Sequence, residues 1–196
     1  MKNIPALLAD FANGLFALLL AAYVSEIEVL WWHIPVGIVL AILPDLDAVP
    51  ELLHRGKVAA SAQYQSDHRD LLHKPLLFMV IGIILTINFG YWGWVFFFAT
   101  VLHFLNDMYG TGWGVPLFAP FSKHRYKLFT NQDNDFSMRP RHFLRVIKYD
   151  SLQNEIVEHG DEDWIKHTYI QVGLLAIIEY SLFFLACVLL FVHFMS

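Results

Sequence analysis

Aspartates and histidines recur in this chain at spacings suited to holding a metal ion. "LPDLD" supplies Asp45 and Asp47, "HRDLLH" supplies His68, Arg69 and His73, and "HFLND" supplies His103, Asn106 and Asp107. His103 and Asp107 are four residues apart, so on a helix they share a face. Carboxylates mixed with neutral imidazoles suit Zn, Mn or Fe; a Ca site would draw on oxygen alone. Asp45, Asp47, His68, His73, His103 and Asp107 are enough ligands to saturate one ion or to bridge two. A two-metal site activates water and neutralises the leaving oxygen of a phosphoester. Arg69 and Lys74 offer cations for the anionic group of such a substrate.

The elements that must position these residues are apolar. The chain has 196 residues, is 57% hydrophobic and 16% aromatic, and has a mean hydropathy of +0.47. Soluble domains are about 45–50% apolar. The excess is gathered into five blocks: Ile4–Val24, Val29–Leu43, Pro75–Phe89, Tyr91–Tyr109 and Thr168–Phe194. The first, fourth and fifth reach the ~20 residues of a spanning helix. The second and third give about 22 Å of helix each, short enough that their polar ends would be recessed below the headgroups. The expected fold class is all-α: a polytopic membrane helical bundle of about five transmembrane helices, forming one membrane-embedded domain over 1–196. The lone cysteine, Cys187, excludes disulfides and a cysteine-based zinc site.

Within the first block, Asp10, Asn13, Gly14, Ala17 and Ala21 form a small and polar stripe at helical spacing, suited to packing inside a bundle. Asp10 also interrupts what would be the apolar core of a signal peptide, so the block reads as a retained helix. The basic residues fall before helix 1, between helices 2 and 3, and between helices 4 and 5. All three places lie on one side, which the positive-inside rule makes cytoplasmic, with the N-terminus inside. Asp10 and the ends of helices 2, 3 and 4 then meet at one level. Charge against lipid is expensive, so these groups must face the bundle interior.

The rest of the polar inventory reads more plainly. Glu179, mid-way along the last block, reads as a structural group, and His33, after "WW", as an interfacial belt residue. The cytoplasmic segment 122–167 contains "RPRHFLRVIKYDSLQNEIVEH". Phe143, Leu144, Ile147 and Val157 fit a helical stripe imperfectly, with Arg139, Arg141, Arg145 and Lys148 clustered at its start. A surface-lying amphipathic helix is the expectation there. H-E-x-x-H and G-x-S-x-G are both absent, against a zincin protease and a serine hydrolase.

"WWHIPVGIVLAILPDLD", "HRDLLHKPL" and "HFLNDMYGTGWGVPLFAPF" resemble the three signature blocks of the YdjM-type family of inner-membrane, metal-dependent hydrolases, in part regulated by the DNA-damage repressor. Asp45, Asp47, His68, Arg69, His73, His103 and Asp107 match its pattern, as do Gly114–Leu117 and Pro120. Ala48 stands where the family has His; Asp70, Leu72 and Lys74 replace Gly, Thr and Ser; and helix 1 carries Asp10 instead of the family's usual His. Lipid phosphatases of the vanadium-haloperoxidase type also end in H-x-x-x-D, but they need an Arg where this chain has Phe97.

The expectation is therefore a hydrolase of the bacterial inner membrane, with a cytoplasm-facing site and one or two divalent transition-metal ions (Zn, Mn or Fe). It would cleave a phosphoester or ester of a membrane lipid or lipid-linked substrate, with no nucleic acid and no protein partner implied. Asp45, Asp47, His68, His73, His103 and Asp107 would be ligands, and Asp10 a further ligand or the general base. Arg69 would hold the anionic group, with Asn106 behind the ligands. A metal-ion or proton-coupled transporter and a metal-stabilised scaffold are the competing classes. The first would use Glu179 and Asp10 as way-stations across the membrane.

Overall fold

The computed structural model describes residues 4–56, 58, 72–131 and 135–195. Each apolar block holds an α-helix: α1 Ile4–Ser25, α2 His33–Ile42, α4 Pro75–Phe89, α5 Tyr91–Tyr109 and α7 Leu174–Met195. A short α3, Val49–Arg55, follows α2, and α6 is Leu152–His159. Among the described residues, two helices are long and apolar enough to cross a bilayer, Pro5–Ser25 and Leu174–Met195; Pro75–Phe89 is apolar but shorter. The expectation of about five spans is thus met only in part. Pro44 follows α2 closely and it stays at 10 residues, while Trp, Tyr, His, Asn and Asp dilute the apolar character of α5.

The chain divides into two compact units. The first comprises residues 1–43, 77–103 and 176–196. Its interior packs Leu15 and Leu18 of α1 with Val95 of α5 and Ala186 of α7. The stripe on α1 faces inward: Asp10, Ala17 and Ala21 are buried. Gly14 meets Gly37 of α2 so closely that a Cβ on Gly14 would lie 2.6 Å from the Gly37 carbonyl oxygen. Bare backbone at both positions is what lets these helices touch, as small residues do between membrane helices. Ile83, Ile84 and Ile87 of α4 and Phe184 and Phe191 of α7 are exposed, an apolar surface that suits lipid.

The second unit comprises residues 44–76 and 104–175. It corrects two expectations. The fold is not all-α, and the segment 122–167 does not start as an amphipathic helix. Arg125–Thr130 (β1) and His142–Ile147 (β2) pair as an antiparallel hairpin, with Tyr126 opposite Val146 and Leu128 opposite Leu144. In the part read as amphipathic, only a 3-10 turn over Tyr149–Ser151 and α6 are helical; Phe143, Leu144 and Ile147 lie on the strand. One side of the hairpin closes over a small core of Trp113, Ile147, Leu152 and Ile156. Gly114 sits beneath β1 at φ +71°, where a Cβ would meet the Tyr126 carbonyl oxygen at 2.2 Å. That contact explains the glycine in "GVPL": only a residue without a side chain lets this loop lie against the strand.

Candidate metal centre

In the second unit, a 3-10 turn over Leu43–Ala48 prolongs α2 and carries Asp45 and Asp47. Neither caps the next helix, whose N-cap residue is Ala48. With 3.0 residues per turn, positions two apart leave a 3-10 helix in different directions. The D-x-D spacing uses this to clasp one imidazole at both nitrogens. Asp45 Oδ1 lies 3.3 Å from His73 Nε2. Asp47 Oδ2 lies 3.1 Å from His73 Nδ1 and also accepts the Leu72 N–H at 2.9 Å. Because the donor is backbone, this bond does not depend on the side chain at position 72.

From α5, Asp107 brings Oδ2 to 3.1 Å from His73 Nε2. His73 is fully buried, while Asp45, 28% exposed, is the member nearest solvent. Burial works against a charge on His73, but hydrogen bonds to Asp107, Asp45 and Asp47, and the Asp107 charge, outweigh it. They push its pKa up to about 10. Three carboxylates around one imidazole are a site built for positive charge.

A divalent metal fits this donor set. Asp45 and His73 belong to a group of His and Asp side chains that could hold a metal ion. Ligand atoms 2.0–2.1 Å from one ion stand about 3.3 Å apart in a tetrahedron and about 2.9 Å apart in an octahedron. His73 Nε2 stands 3.3 Å from Asp45 Oδ1 and 3.1 Å from Asp107 Oδ2, within that range. Asp47 Oδ1 is a buried carboxylate oxygen with no hydrogen-bond partner among the described residues. Its other oxygen fixes the His73 ring through Nδ1, as outer-shell carboxylates do for metal-binding histidines.

The first unit holds a second carboxylate–imidazole pair. Asp10 Oδ1 of α1 accepts from His103 Nδ1 of α5 at 2.8 Å, and both residues are buried. A ring that donates from Nδ1 keeps Nε2 as its ligand atom. Asp10 therefore stands to His103 as Asp47 stands to His73. On α5, His103 and Asp107 lie one turn apart, on one face.

Asn106 is half-buried, with its Oδ1 buried and without a hydrogen-bond partner among the described residues. His68, Arg69 and Asp70 lie outside the described residues. Glu179 is buried in α7 of the first unit. His33 is buried, 3.1 Å from the Tyr91 hydroxyl and edge-on to Trp32 and Trp92. Sequence reading passed over Arg125 and Lys127 as two more cytoplasmic charges. Both are almost wholly buried on one side of β1, donating to the carbonyls of Gly114 and Gly112. Their signal was the two-residue spacing in "RYKLFT", which puts both on one strand face.

One comparison with known proteins identifies relatives. The family model described as YdjM inner membrane protein matches residues 9–194, nearly the whole chain. No curated protein and no solved structure matches it.

Proposed function

This chain belongs to the YdjM family of inner membrane proteins, and we propose that it is a metal-dependent hydrolase. Its substrate is a phosphoester or ester of a membrane lipid or lipid-linked molecule, and its site opens to the cytoplasm. The observation that carries the reading is the convergence of Asp45 Oδ1 and Asp107 Oδ2 on His73 Nε2. When bound, a Zn, Mn or Fe ion there supplies Lewis acidity, for lowering the pKa of a water and neutralising charge on a leaving oxygen.

The chain's own residues divide the remaining work. Asp45, His73 and Asp107 supply donor atoms, and His103 keeps the ligand role its motif implies. Asp47 and Asp10 hold the two imidazoles by Nδ1, so each presents Nε2 in a fixed orientation. Asp45, the most exposed of these carboxylates, would donate through Oδ1 and keep its second oxygen to accept a proton from an attacking water. His68 and Arg69 keep the roles their motif implies, ligand and anion holder, and Asn106 supports the ligands from behind. The lipid character of the substrate follows from the membrane setting.

Metal analysis of the purified protein tests this. One or two transition-metal ions per chain are expected, falling sharply in His73→Ala and in Asp107→Asn. Release of product from a phospholipid or a lipid phosphate should fall with them. A protein that carries no metal and behaves identically with chelator would overturn the reading. A transporter finds support in one observation: Glu179 and Asp10 are both buried carboxylates of the first unit. Metal-dependent counterflow across sealed proteoliposomes without hydrolysis would favour it.

A further inference from the structure

The hairpin has two unlike faces. Arg125, Lys127 and Ile147 on one side are buried. The other side carries Tyr126, Leu128, Leu144 and Val146, set opposite one another in register, with the Phe118 ring packed on Tyr126 at 5.3 Å. Phe118 is 47% exposed, and Leu144 and Val146 are each 49% exposed. Three residues after Phe118, Phe121 is 86% exposed. A two-stranded sheet in water gains stability by covering such a face. Here the described residues leave it open.

The charge nearby is mostly positive. Between Phe118 and Tyr149 the sequence has Lys123, Arg125, Lys127, Arg139, Arg141, Arg145 and Lys148 against only Asp133 and Asp135. Arg125 and Lys127 are buried, and Arg145 is paired with Glu155. Lys123, Arg139, Arg141 and Lys148 are exposed, as are the acidic Asp135 and Asp150. An apolar face beside a surplus of cations matches the interfacial region of a bilayer rich in anionic headgroups.

We propose that this hairpin face, Phe118, Tyr126, Leu128, Leu144 and Val146, docks on the anionic surface of the membrane that holds the chain, with Lys123, Arg139, Arg141 and Lys148 engaging lipid phosphates. The surface is a second, peripheral attachment. It stands on the family's membrane location and on the hairpin, and is independent of the metal reading.

Full-length protein with Cys187→Ser and a single Leu144→Cys, labelled with an environment-sensitive fluorophore, is reconstituted into phosphatidylcholine vesicles with or without phosphatidylglycerol. A label at Gln153, exposed on α6, is the control. Brominated lipid should quench the Leu144 label strongly in phosphatidylglycerol membranes and leave Gln153 largely unaffected. Replacing Lys123, Arg139, Arg141 and Lys148 by Gln should abolish the difference, at about fivefold weaker engagement per cation. Val146→Cys repeats the measurement should the first label disturb the hairpin. Equal quenching of both sites by aqueous iodide, with or without phosphatidylglycerol, would overturn the proposal. So would shielding that ignores lipid charge, whether it rises with protein density, as for a second copy, or does not, as for cover from within the chain.

Discussion

Asp10→Asn and Asp10→Ala separate a carboxylate that binds metal from one that holds a histidine. The 2.8 Å bond from His103 Nδ1–H to Asp10 Oδ1 is buried and charge-assisted. Such bonds contribute about 1.5–3 kcal/mol, roughly twice a neutral one. Asparagine keeps an oxygen to accept the bond and loses the charge. It should therefore cost about 1 kcal/mol and weaken metal binding about fivefold. Alanine removes the acceptor and leaves the ring to turn, so metal affinity should fall about 10–100-fold, the usual effect of losing an outer-shell partner. The number of ions bound at saturation should not change in either variant. The assay is competition against a fluorescent chelator in detergent, with unfolding followed in parallel. Loss of a whole ion in Asp10→Asn would show that Asp10 is itself a ligand. Unchanged affinity in Asp10→Ala, with lowered stability, would show that the pair only holds helices together. Either result refutes the positioning role.

Metal uptake should depend on pH through His73. With its pKa near 10, the metal-free site carries a proton that the ion must displace, so apparent affinity should rise about tenfold per pH unit from pH 6 to 9. Calorimetry in buffers of different ionisation enthalpy should find about one proton released from this residue per site filled. The same shift adds stability to the metal-free protein that is complete below pH 6.5 and is lost as pH rises through 10. Gly14→Ala should destabilise, against the usual helix-propensity gain, because the new Cβ meets the Gly37 backbone at 2.6 Å. Overpacking of this kind costs about 1–3 kcal/mol, measurable by unfolding in mixed micelles. A more stable variant would show that α1 and α2 stand further apart.

The helices were legible because their blocks are continuous and apolar, and because Pro35, Pro44 and Pro75 mark where α2 and α4 begin or end. D-x-D and H-x-x-x-D were legible as ligand spacings, since each fixes direction locally. Which carboxylate meets which nitrogen was not. Asp10 read equally well as ligand or base, and its bond to His103 is a contact that no spacing in the sequence pointed to. The hairpin was missed for a specific reason. A strand is recognised by alternation, and β2 lacks it: Phe143 and Ile147 are apolar on one side, and Leu144 and Val146 on the other. The outer face is apolar where a water-facing strand would be polar, so the period of two vanished and the run passed for a ragged helix. Buried Arg125 and Lys127 escaped because charge counts assume charges are at the surface.

The clasp on His73 also ties a loop shut. Asp47 bonds both the Leu72 amide and the His73 ring, so the chain from 47 to 72 leaves and returns at one fixed point. Once its ends are pinned, the length of such a loop matters little: doubling it costs only about 0.6 kcal/mol in closure entropy. Changing the number of residues between Arg55 and His68 should therefore cost the clasp little stability. The Asp47 clasp, and not the length of the connection that it closes, is then what sets the orientation of His73.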